Sequence, residues 1–343
     1  MAKSTPTRPA NPSGGIDIEE VTGLRERGLA GVLFASQPFW ITVALAVLCV
    51  LMAYVAPAFA SLDNFYNITR NFAFIGVMAL GMTAVIITGG IDLSIGSIMG
   101  LVGIVLGLLL EAGWPWYVAV SAGLVAGMAA GAINGYLIAY LRLAPFVVTL
   151  GMLSIARSAA IVLSGNRMIY DFGPGADAVY WIGGGSILGI SNPVWVLVVG
   201  ALVFGFIFNA TAWGRYLYAI GGNERAAGLT GVPVARIKLQ VYVVSGLTAA
   251  IAGILITGWQ GSAINALGVG YELRVIASTV IGGTNLMGGE GGAYGAFIGA
   301  ALIELIRNAL LMAGVDSNWQ GAFVGLFIIL AVLLERLRGQ RGG

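Results

Sequence analysis

Residues 72–110 read FAFIGVMALGMTAVIITGGIDLSIGSIMGLVGIVLGLLL, an apolar stretch in which Asp92 is the only charged residue. At about 20 residues per span, the stretch is long enough to cross a membrane about twice. Ionisable groups at membrane depth are costly and usually face a protein interior or an aqueous path. Gly89 and Gly90 precede Asp92 closely and weaken a helix, so the sequence predicts a broken-helix site here.

The composition of the whole chain is that of an integral membrane protein. Of its 343 residues, 58% are hydrophobic and 9% are charged, whereas about a quarter of the residues in a soluble domain are charged. Mean hydropathy is +0.92. The 53 glycines are spread through the apolar segments, where small residues allow membrane helices to pack closely. We therefore expect an all-α membrane protein with a transporter-like or channel-like core.

Ten apolar segments have about the length that a transmembrane helix needs. They lie at 38–58, 71–89, 94–111, 116–140, 145–165, 193–210, 239–259, 274–288, 291–313 and 320–335. The eighth is short enough to be re-entrant. Nine or eleven spans are the alternatives to ten, because boundaries are the weakest part of such a prediction.

The positions of Lys and Arg predict the orientation, because cytoplasmic loops carry an excess of them. With the amino terminus inside, twelve fall on the cytoplasmic side and only Arg70, Arg167 and Arg274 fall outside. Arg157 and Arg307 lie within spans. This bias predicts two cytoplasmic termini and an even number of spans.

The chain divides into a cytoplasmic tail with an amphipathic helix at 1–37, a transmembrane domain at 38–338 and a cytoplasmic tail at 339–343. Within the domain, the external segment 166–192 and the cytoplasmic segment 211–238 are longer than ordinary turns. The second is polar and helix-forming around residues 223–229, which is typical of a docking surface, with a plain connector as the alternative.

Several enzyme classes are excluded by missing residues. The chain has no histidine, so it lacks Ser-His and Cys-His dyads and His-based zinc sites. Its only lysines are Lys3 and Lys238, and no Gly-x-x-x-x-Gly-Lys-[Ser/Thr] loop is present to bind ATP phosphates. We expect no catalytic residue, metal or cofactor on this chain and no nucleic-acid partner.

Polar residues inside the apolar segments are candidates for a permeation path. A neutral hydroxylated solute needs carboxylate, amide and hydroxyl partners, with aromatic faces for sugar rings. The candidates are Asp92, Ser94, Asn71, Asn134, Trp259, Gln260 and Asn285. For any one of them, the alternative is a hydrogen bond between helices. Asp92 can also cap the helix that starts at Ser94, and this is compatible with lining a path.

Two further charged positions lie within spans. Glu304 and Arg307 are three residues apart, so they share a helix face and are predicted to form a structural ion pair. A gate or solute contact is the alternative. Arg157 has no local partner in the sequence, and its candidates are Asp92, Glu304 or a backbone carbonyl on another helix.

Three blocks of the sequence together resemble the permease subunits of ribose/xylose-type bacterial ABC sugar importers. The first is GMT at 81–83 followed by ITGGIDLSIGS at 87–97, and the second is GRYLYAIGGNERAAGLTG at 214–231. The third is VIGGT at 280–284 through GGEGG at 288–292. The match extends over about residues 38–338.

The resemblance implies about ten helices per subunit and two permease subunits, expected to be identical, around one path. It also implies two cytoplasmic ATPase subunits, or one double-domain ATPase, which hold the ATP and Mg²⁺, and a periplasmic sugar-binding protein. In that family a short cytoplasmic helix docks into a cleft of the ATPase. The matching residues here are Asn223, Glu224, Arg225, Ala226, Ala227 and Gly231. The sequence departs from the family's Glu-Ala-Ala…Gly pattern at Arg225, which stands between Glu224 and the two alanines.

The function implied is the translocation of a monosaccharide across the bacterial inner membrane, driven by separate ATPases. Branched-chain amino acids or another small polar solute are the alternative cargo. A self-contained secondary carrier or channel, with Asp92 or Glu304 as a proton site, is the alternative from a different class.

Overall fold

The computed structural model describes residues 36–316, 319, 321–323 and 325–326. The predicted amino-terminal tail and its amphipathic helix, most of the tenth predicted span and the carboxyl-terminal tail lie outside the described residues. The orientation of both termini and the total number of spans therefore stay predictions.

The described chain is almost entirely helical. Its α-helices are α1 Gln37–Val55, α2 Leu62–Ile87, α3 Ile95–Glu111, α4 Trp116–Ala139, α5 Pro145–Leu163, α6 Ala176–Gly184, α7 Asn192–Ala210, α8 Ala212–Gly222, α9 Glu224–Leu229, α10 Val234–Gln260, α11 Tyr271–Ile281 and α12 Ala293–Met312. Two 3₁₀ turns lie at Pro57–Ala60 and Gly173–Gly175, and strands β1 Ser186–Ile187 and β2 Ile190–Ser191 form an antiparallel hairpin with Ser186 opposite Ser191.

Seven of the described helices are long and apolar enough to cross a membrane, namely α1, α2, α4, α5, α7, α10 and α12. Helix α3 is also apolar but has only 17 residues. The first nine predicted spans each correspond to one helix among the described residues, so the prediction of a mostly helical multi-pass membrane protein is confirmed.

Helices α2 and α10 form the centre of the bundle. In their most apolar windows 89% and 67% of the residues are buried, against 11% in α1 and 17% in α7. Helix α10 packs against α2, α3 and α4. Since α1 and α7 are apolar but exposed, their surfaces suit contact with lipid or with another subunit.

Helices α4 and α10 approach so closely that only glycine fits at their crossing. A Cβ on Gly131 would lie 2.2 Å from the carbonyl oxygen of Tyr242, and one on Gly246 would lie 2.2 Å from that of Gly127. This backbone contact anchors the polar residues that the two helices carry.

Two predicted boundaries were wrong in a way that matters for function. Helix α2 begins at Leu62 rather than at 71, and α10 begins at Val234 rather than at 239. In each case the added residues include charged ones, such as Asp63 and Arg70 in α2 and Arg236 and Lys238 in α10, because these helices continue beyond their apolar segments. Arg70 therefore lies within α2 instead of in an external loop.

A non-helical segment at 261–270 runs along α3 before α11 begins. Three glycines of α3 lie so close to this segment that a Cβ on any of them would touch it. Gly107 lies beside Ala263, Gly100 beside the carbonyl of Leu267, and Gly96 beside that of Gly268. The segment therefore passes from the end of α3 towards its start. Helix α11 follows with 11 residues, about half of what a membrane span needs.

The eighth predicted span, 274–288, thus proves to be a short helix at 271–281 followed by a glycine-rich turn. The helix ends at Ile281, Gly282 follows as its C-cap, and Gly283 has a φ of +96° that ordinary residues rarely adopt. Non-helical chain therefore lies on both sides of α11: the segment 261–270 before it and the glycine-rich turn after it.

Candidate functional site

The predicted site residues do not form one cluster. Most of them lie in three places: the break between α2 and α3, a pocket beside α6, and the short helix α9. Asp92, Ser94 and Asn134 come together at the break, while Trp259 and Gln260 line the pocket. Asn71 and Asn285 join neither group.

The break at residues 88–94 is closed by hydrogen bonds to the Asp92 carboxylate. Its Oδ1 accepts from the backbone N–H of Ser94 at 2.9 Å and from the Ser94 hydroxyl at 2.5 Å. Its Oδ2 accepts from the hydroxyl of Ser245 on α10 at 2.7 Å. Asn134 Nδ2 on α4 donates to Ser94 Oγ at 2.9 Å. We call Asp92, Ser94, Asn134 and Ser245 the Asp92 clasp.

All four residues of the Asp92 clasp have 0% of their surface exposed. A solute in a path cannot touch them in this conformation. Asp92 accepts hydrogen bonds from Ser94, the residue just before α3, and from Ser245 on α10. This geometry favours a role in capping α3 and shaping the break over direct contact with a solute. Ser245 has no charge and no nearby motif, so nothing in the sequence distinguished it from the other small residues of α10.

Arg157 donates hydrogen bonds to backbone carbonyls and not to Asp92 or Glu304, the two carboxylates that were its other predicted partners. Its Nη1 donates to the carbonyl oxygens of Asn265 at 2.8 Å and Leu267 at 2.7 Å. Its Nη2 donates to Ser97 Oγ on α3 at 3.3 Å. These carbonyls belong to the non-helical segment 261–270, where no helical hydrogen bond can satisfy them. Arg157 thereby makes irregular backbone tolerable inside the bundle.

Arg157→Met is expected to lower the free energy of unfolding by about 2–3 kcal/mol, because two carbonyls lose a charged donor. The measurement is the midpoint of SDS-induced unfolding of the purified chain. Arg236→Met, at an exposed position, is the matched control and is expected to unfold like the wild type. Equal midpoints for the two variants would contradict this role.

The pocket beside α6, here called the α6 pocket, has a volume of about 610 Å³. It lies at the end of the bundle that is predicted to face outside, between α2, α6 and the end of α10. Trp259 and Gln260 line it, together with Arg70, Tyr180 and Trp181. Arg70 is not among the predicted path residues, because the second predicted span begins at residue 71 and leaves Arg70 in the preceding loop.

The Arg70 guanidinium covers one of the predicted sugar-binding rings. Its central carbon lies 4.3 Å from the centroid of the Trp259 indole and 5.5 Å from that of Tyr66. Phe74 also packs on Trp259, with ring centroids 5.8 Å apart. These contacts are cation–π and aromatic interactions. Trp259 is therefore held by neighbours on the protein, and its ring is not free to stack on a sugar.

Asn71 and Asn285 make local hydrogen bonds instead. Asn71 Nδ2 donates to the carbonyl of Asn67 within α2 at 2.8 Å. Asn285 Oδ1 accepts from the N–H of Met287 at 2.8 Å and shapes the turn after α11. That turn contacts the end of α2, where Gly289 N–H donates to the carbonyl of Ile87 at 2.9 Å.

Helix α9 contains the predicted coupling residues. Asn223 Oδ1 accepts from the N–H of Ala226 at 3.0 Å and caps the helix. Glu224 forms an ion pair with Lys238 on α10 at 2.6 Å. Gly231, at a φ of +87°, turns the chain back towards α10.

The faces of α9 differ from the sequence prediction at Ala227. Ala227 is only 5% exposed and faces its own protein, whereas Leu229 is 90% exposed. Arg225 and Ala226 are exposed as well. Ala227 therefore packs against the bundle of its own chain. Because the side chains of a helix point to different sides, a partner protein would meet the exposed side of α9 and not Ala227.

Glu304 and Arg307 form the predicted ion pair on α12. Arg307 Nε donates to Glu304 Oε1 at 2.8 Å and to Oε2 at 2.9 Å. Glu304 is 2% exposed, so the pair neutralises a carboxylate inside the bundle.

Comparison with known proteins gives a consistent set of relatives. The family model described as "Branched-chain amino acid transport system / permease component" matches residues 64–332. The ribose import permease protein of Escherichia coli K12 is 39% identical over 294 residues, which cover 85% of this chain and 92% of that protein. The ribose import permease protein of Bacillus subtilis is 36% identical, with 89% and 94% covered.

A third relative is named for another sugar. The L-arabinose ABC transporter permease protein of Azospirillum brasilense is 33% identical, with 87% of each chain covered. Among solved structures, a protein described as a metal-chelate type ABC transporter, in an inward-facing conformation, is 17% identical with a TM-score of 0.48. The matched region covers 87% of this chain and 99% of that protein.

Proposed function

The chain belongs to the family of permease components of branched-chain amino acid transport systems, and from this premise we propose that it forms the membrane path of an ATP-driven monosaccharide importer. The relatives that match most of its length are named for ribose and L-arabinose. Their names favour a sugar over a branched-chain amino acid as cargo, although the family as a whole is named for the latter. They also favour a subunit of a larger importer over a self-contained carrier.

The complete importer in this proposal contains a second copy of the chain and two cytoplasmic ATPase subunits or one double-domain ATPase. ATP and Mg²⁺ belong to the ATPase. A periplasmic binding protein delivers the sugar, and the assembly sits in the bacterial inner membrane with both termini of this chain in the cytoplasm. The bias of twelve Lys and Arg to one side supports that orientation.

The observation that carries the proposal is the construction of α9. It is a capped short helix that exposes Leu229 and Arg225, buries Ala227 against its own protein and is joined to α10 by the Glu224–Lys238 pair. A helix fixed to one long helix and free on its other face suits the transmission of a partner's movement.

Helix α10 connects the three places where the predicted residues lie. Near its start Lys238 holds α9, farther along Ser245 holds the Asp92 clasp, and at its end Trp259 and Gln260 line the α6 pocket. Closure of the ATPases would move α9, and α10 would carry that movement to the break and the pocket. ATP binding then shifts the population between orientations of the path.

The cargo is tested by uptake into vesicles that contain the importer reconstituted with its ATPase and binding-protein partners. Labelled D-ribose, L-arabinose and L-leucine are compared at equal concentration, with and without ATP. We expect ATP-dependent uptake of a sugar to exceed that of leucine by about tenfold or more, equivalent to about 1.4 kcal/mol of discrimination. Preferential leucine uptake would overturn the assignment of a sugar.

A further inference from the structure

The α6 pocket presents polar groups that no other described residue binds. Within the described residues, neither the Gln260 side chain nor the Trp181 indole N–H makes a hydrogen bond. Arg70 Nη2 donates to Asn67 Oδ1 at 2.6 Å, but Arg70 Nε is buried without a partner. An unsatisfied buried donor costs stability, but Arg70 Nε has almost no accessible surface. The groups open to a ligand are the exposed Gln260 and Trp181 side chains and the rest of the Arg70 guanidinium, which lines the pocket.

The walls of the α6 pocket keep its space open. Tyr180 and Trp181 come from α6, and the opposite wall is the end of α10 with Gly261 beyond it, at a φ of +65°. Gly184 also lines the pocket, and a Cβ at this position would lie 3.7 Å from Trp259, in ordinary contact. The pocket is an open groove rather than an enclosed cavity, and its volume of about 610 Å³ leaves room for a molecule of the size of a monosaccharide.

The chemistry of the lining fits a neutral polyhydroxylated ring. Trp181 is 56% exposed and offers an aromatic face for the C–H side of a sugar. The Gln260 amide both donates to and accepts from hydroxyls. Arg70 is the only charged residue among those lining the pocket, and its charge already interacts with the Trp259 and Tyr66 rings. It is therefore better placed as a hydrogen-bond donor to hydroxyls than as a counter-ion for a free acid.

We propose that the α6 pocket is a monosaccharide-binding subsite on the permease itself, in which the sugar stacks on Trp181 and hydrogen-bonds with Gln260 and Arg70. This inference rests on the proposed function and adds a selective step to it: the path accepts the released sugar at a defined site before translocation. Trp259 then acts through Arg70, which it holds in place, and does not stack on the sugar.

The test measures sugar binding to the isolated full chain in nanodiscs, without ATPase or binding protein. Saturation-transfer NMR is recorded with D-ribose, L-arabinose and, as an acidic probe, D-gluconate. We expect saturable signals for the neutral sugars, weakened about tenfold in Trp181→Ala and in Gln260→Ala, since each loses about 1–1.5 kcal/mol of contact. Both side chains are substantially exposed, so the variants are expected to fold.

Trp114→Ala is the matched control, because Trp114 is 53% exposed and lies outside the pocket. It is expected to bind sugar like the wild type. Absence of a saturable sugar signal in the wild type, equal binding by Trp181→Ala and Trp114→Ala, or binding of gluconate alone would each overturn the subsite. If the complete importer still takes up sugar in any of these cases, the proposed function stands while the subsite falls.

Discussion

Replacing Asp92 with alanine is expected to lower the free energy of unfolding by about 3–5 kcal/mol and to abolish uptake by the assembled importer. The substitution removes the acceptor of three hydrogen bonds, from the Ser94 N–H, the Ser94 hydroxyl and the Ser245 hydroxyl. Because the clasp is fully buried, water cannot replace that acceptor. The break would then lose its link to α10.

Asp92→Asn separates the shape of the clasp from the charge of Asp92. Asparagine keeps one oxygen for Ser94, and its amide can donate to the Ser245 hydroxyl, so we expect a loss of only about 1 kcal/mol and partial uptake. The measurements are SDS-induced unfolding of the membrane-inserted chain and ATP-driven uptake. If the asparagine variant is as inactive as the alanine variant while being stable, the carboxylate charge itself is required. If the alanine variant unfolds like the wild type, the clasp does not hold the break.

Leu229→Glu is the second substitution with a large expected effect. Leu229 is 90% exposed, so the change leaves the fold of the chain intact. In a partner's cleft, however, it removes the burial of a leucine, about 1.5–3 kcal/mol, and adds an unpaired charge. Docking of the ATPase is therefore expected to weaken by about 30-fold or more, with uptake reduced to a similar extent.

The matched control for Leu229→Glu is Leu188→Glu. Leu188 is 88% exposed and lies in the β1–β2 hairpin, at the end of the bundle that is predicted to face outside. Co-purification of the ATPase, uptake and thermal unfolding are measured for both variants. Normal ATPase binding and uptake in Leu229→Glu, or an equal loss of ATPase binding in Leu188→Glu, would contradict docking through α9.

The helical membrane fold was predictable because its signal is spread over long segments. Nine apolar stretches each led to a helix, and the glycine pair before Asp92 correctly marked a break. The boundaries were less predictable. Apolarity ends where lipid ends, whereas the backbone hydrogen bonding of α2 and α10 continues into polar sequence. That difference moved Arg70 from a predicted loop into a helix that faces the α6 pocket.

The partners of the buried polar residues were not predictable, because they depend on which helices meet. Asp92 and Ser245 are 153 residues apart, and Arg157 binds carbonyls that are 108 and 110 residues away. Every residue has a backbone carbonyl, so the sequence cannot show which carbonyls Arg157 binds. One serine among the small residues of α10 likewise gives little indication that it binds Asp92. Glu304 and Arg307 were predictable because their contact lies within one turn of one helix.

The short helix α9 shows the same limit at smaller scale. Its position followed from a polar segment that is predicted to be cytoplasmic, and its cap followed from Asn223. Both signals are local. Which side of it faces outward depends on how α10 packs beneath it. Ala227 proves to be the inward residue and Leu229 the outward one.

The central claim is that this chain supplies a path but no energy, and it is tested by uptake into vesicles that contain the purified chain alone. Labelled sugar is added with and without a proton gradient, and the same vesicles are compared after the ATPase, the binding protein and ATP are supplied. The account predicts no concentrative uptake by the chain alone and sugar accumulation only in the complete, ATP-supplied system. Accumulation by the chain alone under a proton gradient would identify it as a secondary carrier and would contradict the account.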